Sequence, residues 1–279
     1  MKTETLKSVL NHPSILVRVA AARGSAPRDE DAFMVVNEKA TAGTVGGGQL
    51  EYMAIDHARR MLSDDIKEDV IKFPLGPETG QCCGGNVTLR LEYVKNPAPL
   101  LEQASINRNA EPHVYVFGTG HVGKALCIAL SALPVVTHAV DQREAELSLV
   151  TDEVEKHLSA LPEAIIENAP PGSAFVAMTH DHALDFLIIA SALKRRDTSY
   201  VGMIGSKTKR VQFERWHQRE GGVQRDRDRL TSPIGGPSKD KRPAVIAAFA
   251  AAEILRALQA DDTDMTAPVL DPAAEPSLS

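Results

Sequence analysis

Cysteine is scarce: the chain has three in 279 residues, Cys82, Cys83 and Cys127. Three cannot build the disulfide framework of a small secreted fold, and the expected setting is intracellular and reducing. Long hydrophobic runs are also missing. The longest, PAVIAAFAAA over 243–252, falls short of the roughly 20 residues that a bilayer demands. The opening MKTETLKSVL has no apolar stretch before a small-residue cleavage site, so it does not read as a secretory signal. Positive charge is not in excess either. With 31 Lys and Arg against 37 Asp and Glu the net charge is −6, which excludes broad electrostatic attraction to nucleic acid or an anionic membrane. The expectation is a cytoplasmic protein with neither nucleic acid nor membrane as a partner.

What is present fits a soluble globular chain, 43% hydrophobic and 24% charged, long enough for about two domains. Two grammars are visible. From Ser14 to about Val94, strand-like segments (SILVRVAAARG, AFMVV, DVIKF, NVTLRLEYV) are punctuated by glycine-rich turns. One helix stands among them, QLEYMAIDHARRML, with Leu50, Met53, Ala54, Ala58, Met61 and Leu62 on one face. From His113 onward, short apolar strands alternate with helices: HVYVF, KALCIALSA, PVVTHAVD, SAFVAMT, DHALDFLIIASALKRR, TSYVGMI, SKTKRVQFERWHQ and PAVIAAFAAAEILRALQ. That alternation predicts a doubly wound parallel sheet. The predicted fold class is α/β: an N-terminal α+β domain over 1–95 containing the cysteine pair, a linker over 96–112, a Rossmann-like domain over 113–260, and a disordered tail over 261–279.

Three places carry candidate chemistry. GTGHVG places Gly118, Gly120 and Gly123 between a strand and a helix, where glycines let a phosphate reach the helix N-terminus. Asp141 ends the next strand, 141 − 120 = 21 residues on, at the spacing of a ribose-binding carboxylate. The same glycines could instead serve only close helix–sheet packing. His121 in that loop can touch a ligand or be a solvated helix start. His180 and His182 in THDH follow a strand end; a helix cap at Asp181 or Thr179 is preferred there to a metal site, with ligand contact by His180 kept open. Gly205, Ser206 and Lys207 suit an anion at a helix start, while Lys209 and Arg210 read equally well as a solvated basic face. The third place is GQCCGG over 80–85, where adjacent cysteines in a glycine collar leave three readings open: an accident, a strained vicinal disulfide, or thiols kept free to hold something. Cys127, in ALCIAL, reads as a small apolar residue facing the sheet.

In order along the chain stand RGSAPR (23–28), GTVGGGQLE (43–51), LGPETGQCCGG (75–85), FGTGHVGKAL, VDQR, MTHDHALD, YVGMIGSKTKR and LTSPIGGP. Together they resemble the xanthine dehydrogenase accessory protein family of XdhC/CoxI type. The resemblance departs after Arg28, where Asp29 to Asp31 replace small residues. It implies a dimeric, non-enzymatic maturation chaperone that binds molybdenum cofactor, protects it while a cysteine desulfurase supplies sulfur, and inserts it into xanthine dehydrogenase. It also implies a cofactor contact at Gln81, Cys82 and Cys83, with a thiolate as a molybdenum contact, since that metal accepts soft sulfur ligands. The cofactor's phosphate would rest on Gly46, Gly47 and Gly48, whose N–H groups open a helix; Glu51 could alternatively favour that helix's first turn. The rival reading from GTGHVG and Asp141 is an NAD(P)-dependent oxidoreductase. A thiol redox protein is disfavoured because Cys82 and Cys83 lack the two-residue spacer.

Overall fold

The computed structural model describes residues 3–23, 32–75, 85–236 and 238–264. The chain divides into two compact units at Ala110/Glu111. In the first, alternation of apolar residues along short strands produces a sheet covered by helix on one face and partly covered on the other. Helix α1 (Thr3–Leu10) leads to β1 (Ser14–Arg23), β2 (Phe33–Asn37) and β3 (Thr41–Gly43), then α2 (Gly48–Ser63), β4 (Glu68–Leu75), β5 (Gly85–Tyr93) and α3 (Ala98–Asn109). The strands lie in the order β3-β2-β1-β5-β4, every neighbour antiparallel. Ile15, Val17 and Val19 of β1 face α2, where Leu50, Ala54, Ala58 and Met61 are buried. Leu16 and Val35 point the other way, to Leu6 and Val9 of α1 and Leu100 and Ala104 of α3. Period-two side chains facing two helix layers account for the apolar start of β1, beyond which Arg18 is exposed.

Two boundaries differ from the sequence reading. Residues 96–112 are not a linker: α3 occupies Ala98–Asn109 and buries Leu100 and Ala104 in the first unit's second core. Its dozen residues show only two buried apolar positions among polar ones, too weak a stripe to announce a helix. The last helix runs to Asp264, so the tail expected from 261 begins inside it, and 265–279 lie outside the described residues.

The second unit alternates strand and helix: β6 (His113–Phe117), α4 (His121–Ser131), β7 (Val136–Asp141), α5 (Glu144–Leu147), β8 (Glu155–Leu158), a 3-10 helix (Pro162–Asn168), β9 (Ala174–Ala177), α6 (His182–Lys194), β10 (Tyr200–Met203), α7 (Lys207–Arg219), α8 (Gln224–Asp228), β11 (Leu230–Thr231) and α9 (Pro243–Asp264). The sheet is parallel throughout, in the order β11-β10-β9-β6-β7-β8. The chain moves one way from β6 to β7 and β8, then crosses to β9 on the other side of β6. The topological switch point therefore lies between the C-terminal ends of β6 and β9, where open α/β sheets bind ligands.

On one face Leu126, Cys127 and Leu130 of α4 pack with Ala247, Ala250, Ala251, Ile254 and Leu258 of α9 over Val114, Val116, Ala139 and Val176. On the other, Ile188, Ile189, Ala192 and Leu193 of α6 and Phe213 of α7 cover Tyr115, Phe117, Phe175 and Met203. Cys127 is fully buried, and burial pushes its thiol up to about 12, which keeps it protonated. Helix α9 is long and apolar enough over Pro243–Ala260 to cross a membrane by length and composition, unlike the ten-residue run read from the sequence. One face of it, with Ala247, Ala250, Ala251, Ile254 and Leu258, packs with α4, and 28% of that window is buried.

If α3 belongs to the first core, Leu100→Ala should cost about 2–3 kcal/mol by cavity formation. Ile106→Ala, exposed on the same helix, should stay within about 0.5 kcal/mol. Denaturant melts of the full chain check both; equal, negligible effects would restore the linker.

Candidate functional site

Strand pairing in the first unit collects the quoted motifs at one end of its sheet. Arg23 pairs with Asn86, and Asn86 with Pro74; Leu75 pairs with Gly85. Met34 pairs with Gly43 beside them, and the Thr44 N–H donates to the Phe33 carbonyl at 3.2 Å. The segments RGSAPR, GTVGGG and GQCCGG thus all leave or enter the sheet at the same end, although they are far apart in sequence. Residues 24–31 and 76–84 lie outside the described residues, and with them Gln81, Cys82, Cys83 and Asp29 to Asp31.

Gly46, Gly47 and Gly48 have φ of 127°, 76° and 64°, a left-handed run that favours glycine. Their expected service as a phosphate cradle is corrected by the neighbour that fills it. One carboxylate oxygen of Glu51, Oε2, accepts the N–H groups of Val45 (3.2 Å) and Gly47 (3.1 Å) and the Thr44 hydroxyl. The Gly46 N–H donates to Thr44 Oγ1 at 3.2 Å. The helix start has recruited its own anion, as a capping carboxylate does. Only the Gly48 N–H is left without such a partner among these contacts. The sequence offered Glu51 as a first-turn residue; that four-residue reach back to the loop is what it amounts to.

In the second unit the glycines divide by role. A Cβ on Gly118, at φ 98°, would lie 2.6 Å from the Met178 carbonyl oxygen, and one on Gly123 would lie 2.0 Å from the Gly118 carbonyl oxygen. Both are required so that the loop can close on β9 and on α4. Gly120 is different: its φ is an ordinary −65°, and a Cβ there would meet nothing within 4 Å. Packing gives no reason for glycine at 120, whereas a ligand approaching the start of α4 would.

The three long helices that begin at this edge are also unequal. Asp181 caps α6 by accepting the Ala183 N–H at 2.8 Å, and Ser206 caps α7 by accepting the Lys209 N–H at 3.2 Å. Gly120 provides no side chain to cap α4. Its first-turn N–H groups carry the positive end of the helix dipole toward the crevice. His121 is exposed as the first residue of that helix.

Asp141 pins the loop from below. Its Oδ2 accepts the Thr119 N–H (2.7 Å), the Thr119 hydroxyl (2.9 Å) and Arg143 Nη2 (3.0 Å); its Oδ1 accepts the Arg143 N–H and Nε, both at 3.0 Å. Burial pushes the carboxyl up, but the Arg143 and Thr119 hydrogen bonds outweigh it and bring it to about 2. To accept a ribose hydroxyl, as the sequence spacing suggested, Asp141 would have to release one of these donors. Arg143, half-exposed, is instead the charged group presented beside the loop. Sequence reasoning passed it over, though it sits two residues beyond Asp141 in VDQR.

Phe117, Val140, Asp141, Gln142, Thr179 and His180 line a small recess at the same edge. His180 is exposed there, and the capping reading of THDH is the one the hydrogen bonds give. Asp185 is fully buried, accepts the Thr179 N–H at 2.8 Å and pairs with Lys209 Nζ. Lys209 is therefore no part of a solvated face, and Gly205 must be glycine because a Cβ would strike the Lys209 chain at 2.6 Å. Arg210 also turns inward, donating to the Leu230 carbonyl at 2.8 Å. Ser206 Oγ already serves as a cap, which leaves the anion expected at Gly205, Ser206 and Lys207 a weaker hold than α4 provides.

Gly123→Ala should destabilise the second unit by at least about 2 kcal/mol, whereas Gly120→Ala should change stability by less than about 0.5 kcal/mol. Equal losses in thermal melts would refute the division of roles. Asp141, with its folded value near 2 and an ordinary value of 3.8, adds stability above pH 4 that vanishes as pH falls through 2. Asp141→Asn should cost about 2 kcal/mol at pH 7. Denaturant titrations at stepped pH should show that gap closing between about pH 4 and 2.

Comparison with known proteins places this geometry. The XdhC Rossmann domain matches residues 114–254, and the XdhC and CoxI family matches residues 10–73. The uncharacterized protein YqeB of Escherichia coli (strain K12) is 22% identical over 256 residues, which cover 88% of this chain and 44% of the relative. The chain thus spans less than half the length of that curated relative. A crystal structure described as a xanthine dehydrogenase from Bacillus halodurans shares the fold, with a TM-score of 0.70 and 16% identity over 97% of this chain and 98% of that one. The chain belongs to the XdhC and CoxI family.

Proposed function

We propose that this chain binds molybdenum cofactor as cargo, shields it while its terminal sulfur is installed, and delivers it to xanthine dehydrogenase in the cytoplasm. The observation that carries this reading is the start of α4. Gly120 is open where packing does not require glycine, and the helix it begins has no side-chain cap at the switch point. A phosphate-bearing ligand fits there, since backbone N–H groups and a helix dipole favour an anion at no cost in side-chain ordering. Arg143, held by Asp141, adds a fixed guanidinium beside it.

The first unit carries the candidate thiols. Cys82 and Cys83 belong to the connection between the paired ends Leu75 and Gly85. A pterin dithiolene molybdenum centre is soft and accepts thiolate, so one cysteine would contact or guard the metal, with Gln81 beside it. A carrier needs to hold and release, not to turn over, and the proposed role is non-enzymatic. A cysteine desulfurase would supply the sulfur, and the working species would be a homodimer. The nicotinamide reading is weaker because Asp141, its ribose acceptor, is already engaged by five donor contacts.

The test is to purify the chain from cells that make molybdenum cofactor and assay molybdenum and pterin. We expect both to co-purify and to fall by about tenfold or more in Cys82→Ala or Cys83→Ala, a loss of at least about 1.4 kcal/mol, with folding retained. Gly120→Ala should lower pterin content while leaving the melting temperature in place. Undiminished retention in all three variants would overturn the assigned contacts, and empty preparations would overturn the cargo.

A further inference from the structure

A cluster at the outer edge of the second sheet is not used by any of this chemistry. On parallel neighbours β7 and β8, His138 pairs with Glu155 and Val140 with His157. Parallel register and the two-residue side-chain period put His138, Glu155 and His157 on one face. His138 Nδ1 lies 2.9 Å from His157 Nε2 and 3.3 Å from a Glu155 carboxylate oxygen. The three candidate ligand atoms all lie within 4.8 Å of one another. A tetrahedral zinc ion bound at about 2.0–2.2 Å requires ligand atoms separated by about 3.4 Å. The two distances from His138, 2.9 Å and 3.3 Å, lie within about 0.5 Å of that spacing.

The surroundings fix the ring that would matter most. His138 is buried, and Tyr115 stacks on it at 4.2 Å between centroids with 6° between planes. On the side away from the cluster, His138 Nε2 is 2.8 Å from His113 Nδ1. With the proton on Nε2, His138 donates to His113 and turns the bare Nδ1 lone pair toward His157 and Glu155. An outer partner that sets the tautomer of an inner ligand is the usual support of a histidine–metal bond. Access is also provided. β8 is the edge strand, Glu155 is exposed and His157 half-buried, so an ion can enter from solvent and keep a water as its fourth ligand.

A purely structural histidine ladder would explain the stacking of His113, Tyr115 and His138. It gives no reason for a carboxylate and a third imidazole converging on one nitrogen of His138. We infer that His138, Glu155 and His157 form a divalent transition-metal site of zinc class, two imidazoles and a carboxylate favouring zinc, cobalt or nickel over calcium or magnesium. Bound metal would tie the short edge strand β8 to β7.

Calorimetric titration with Zn²⁺ tests this on the full chain, stripped with chelator and carrying Cys82→Ser and Cys83→Ser to remove competing thiolates. One equivalent should bind, and the melting temperature should rise with Zn²⁺. His157→Ala, at the accessible edge, should weaken binding by at least about 100-fold and His113→Ala by about tenfold, with circular dichroism unchanged. Co²⁺ should give the visible absorption of tetrahedral coordination in the parent and not in His157→Ala. No binding by the parent, equal binding by His157→Ala, or loss of binding on His180→Ala with His182→Ala would each overturn the site.

Discussion

Helix layers cover most of both sheets, and that constraint decides where chemistry can occur. In the first, α2 covers one face and α1 and α3 cover part of the other. In the second, α4 and α9 stand opposite α6 and α7, which leaves the strand ends and the polar edge strand β8 open. Buried strands carry backbone polar groups paired within the ladder, so the free N–H groups, the turns and the unpaired charges gather at strand ends. The strand ends at Arg23, Gly43, Leu75 and Gly85 are brought to one end of one sheet by pairing, and GTGHVG, VDQR and THDH to one edge of the other by parallel topology.

Electrostatic self-occupation then separates sites that look alike. A glycine-rich helix start attracts an anion, and this chain supplies its own at most of them. Glu51 fills the loop before α2, Asp181 caps α6 and Ser206 caps α7. Asp141 likewise satisfies Thr119 and Arg143. What is left is the start of α4, where the glycine loop is rigidly held from beneath and open above. Rigid support with an open face lowers the ordering cost of binding, as the proposed carrier role requires.

The sequence was readable where the signal was local. HVYVF followed by GTGHVG and an apolar helix sits within nineteen residues, and the strand–helix alternation after His113 has the right lengths, so the Rossmann-like fold was legible. The first unit's motifs were legible as motifs, but their convergence was not, because antiparallel pairing between distant strands sets it. Contacts reversed several local readings. Lys209 looks solvated until Asp185, 24 residues earlier, buries it. Gly46 to Gly48 look like a phosphate loop until Glu51 reaches back to them. Helix α3 hides because two apolar residues suffice to dock it, and β8 hides because EKHL is a polar edge strand. The link between His138 and His157 could be found only after the strands were placed side by side.

The account stands on the idea that this chain holds its cofactor in order to give it away. The most direct measurement mixes the loaded chain with cofactor-free xanthine dehydrogenase and follows pterin on both proteins with time. The account predicts that pterin leaves this chain, appears on the dehydrogenase in equal amount, and brings hydroxylase activity with it. Pterin that stays bound while the dehydrogenase remains inactive would contradict it.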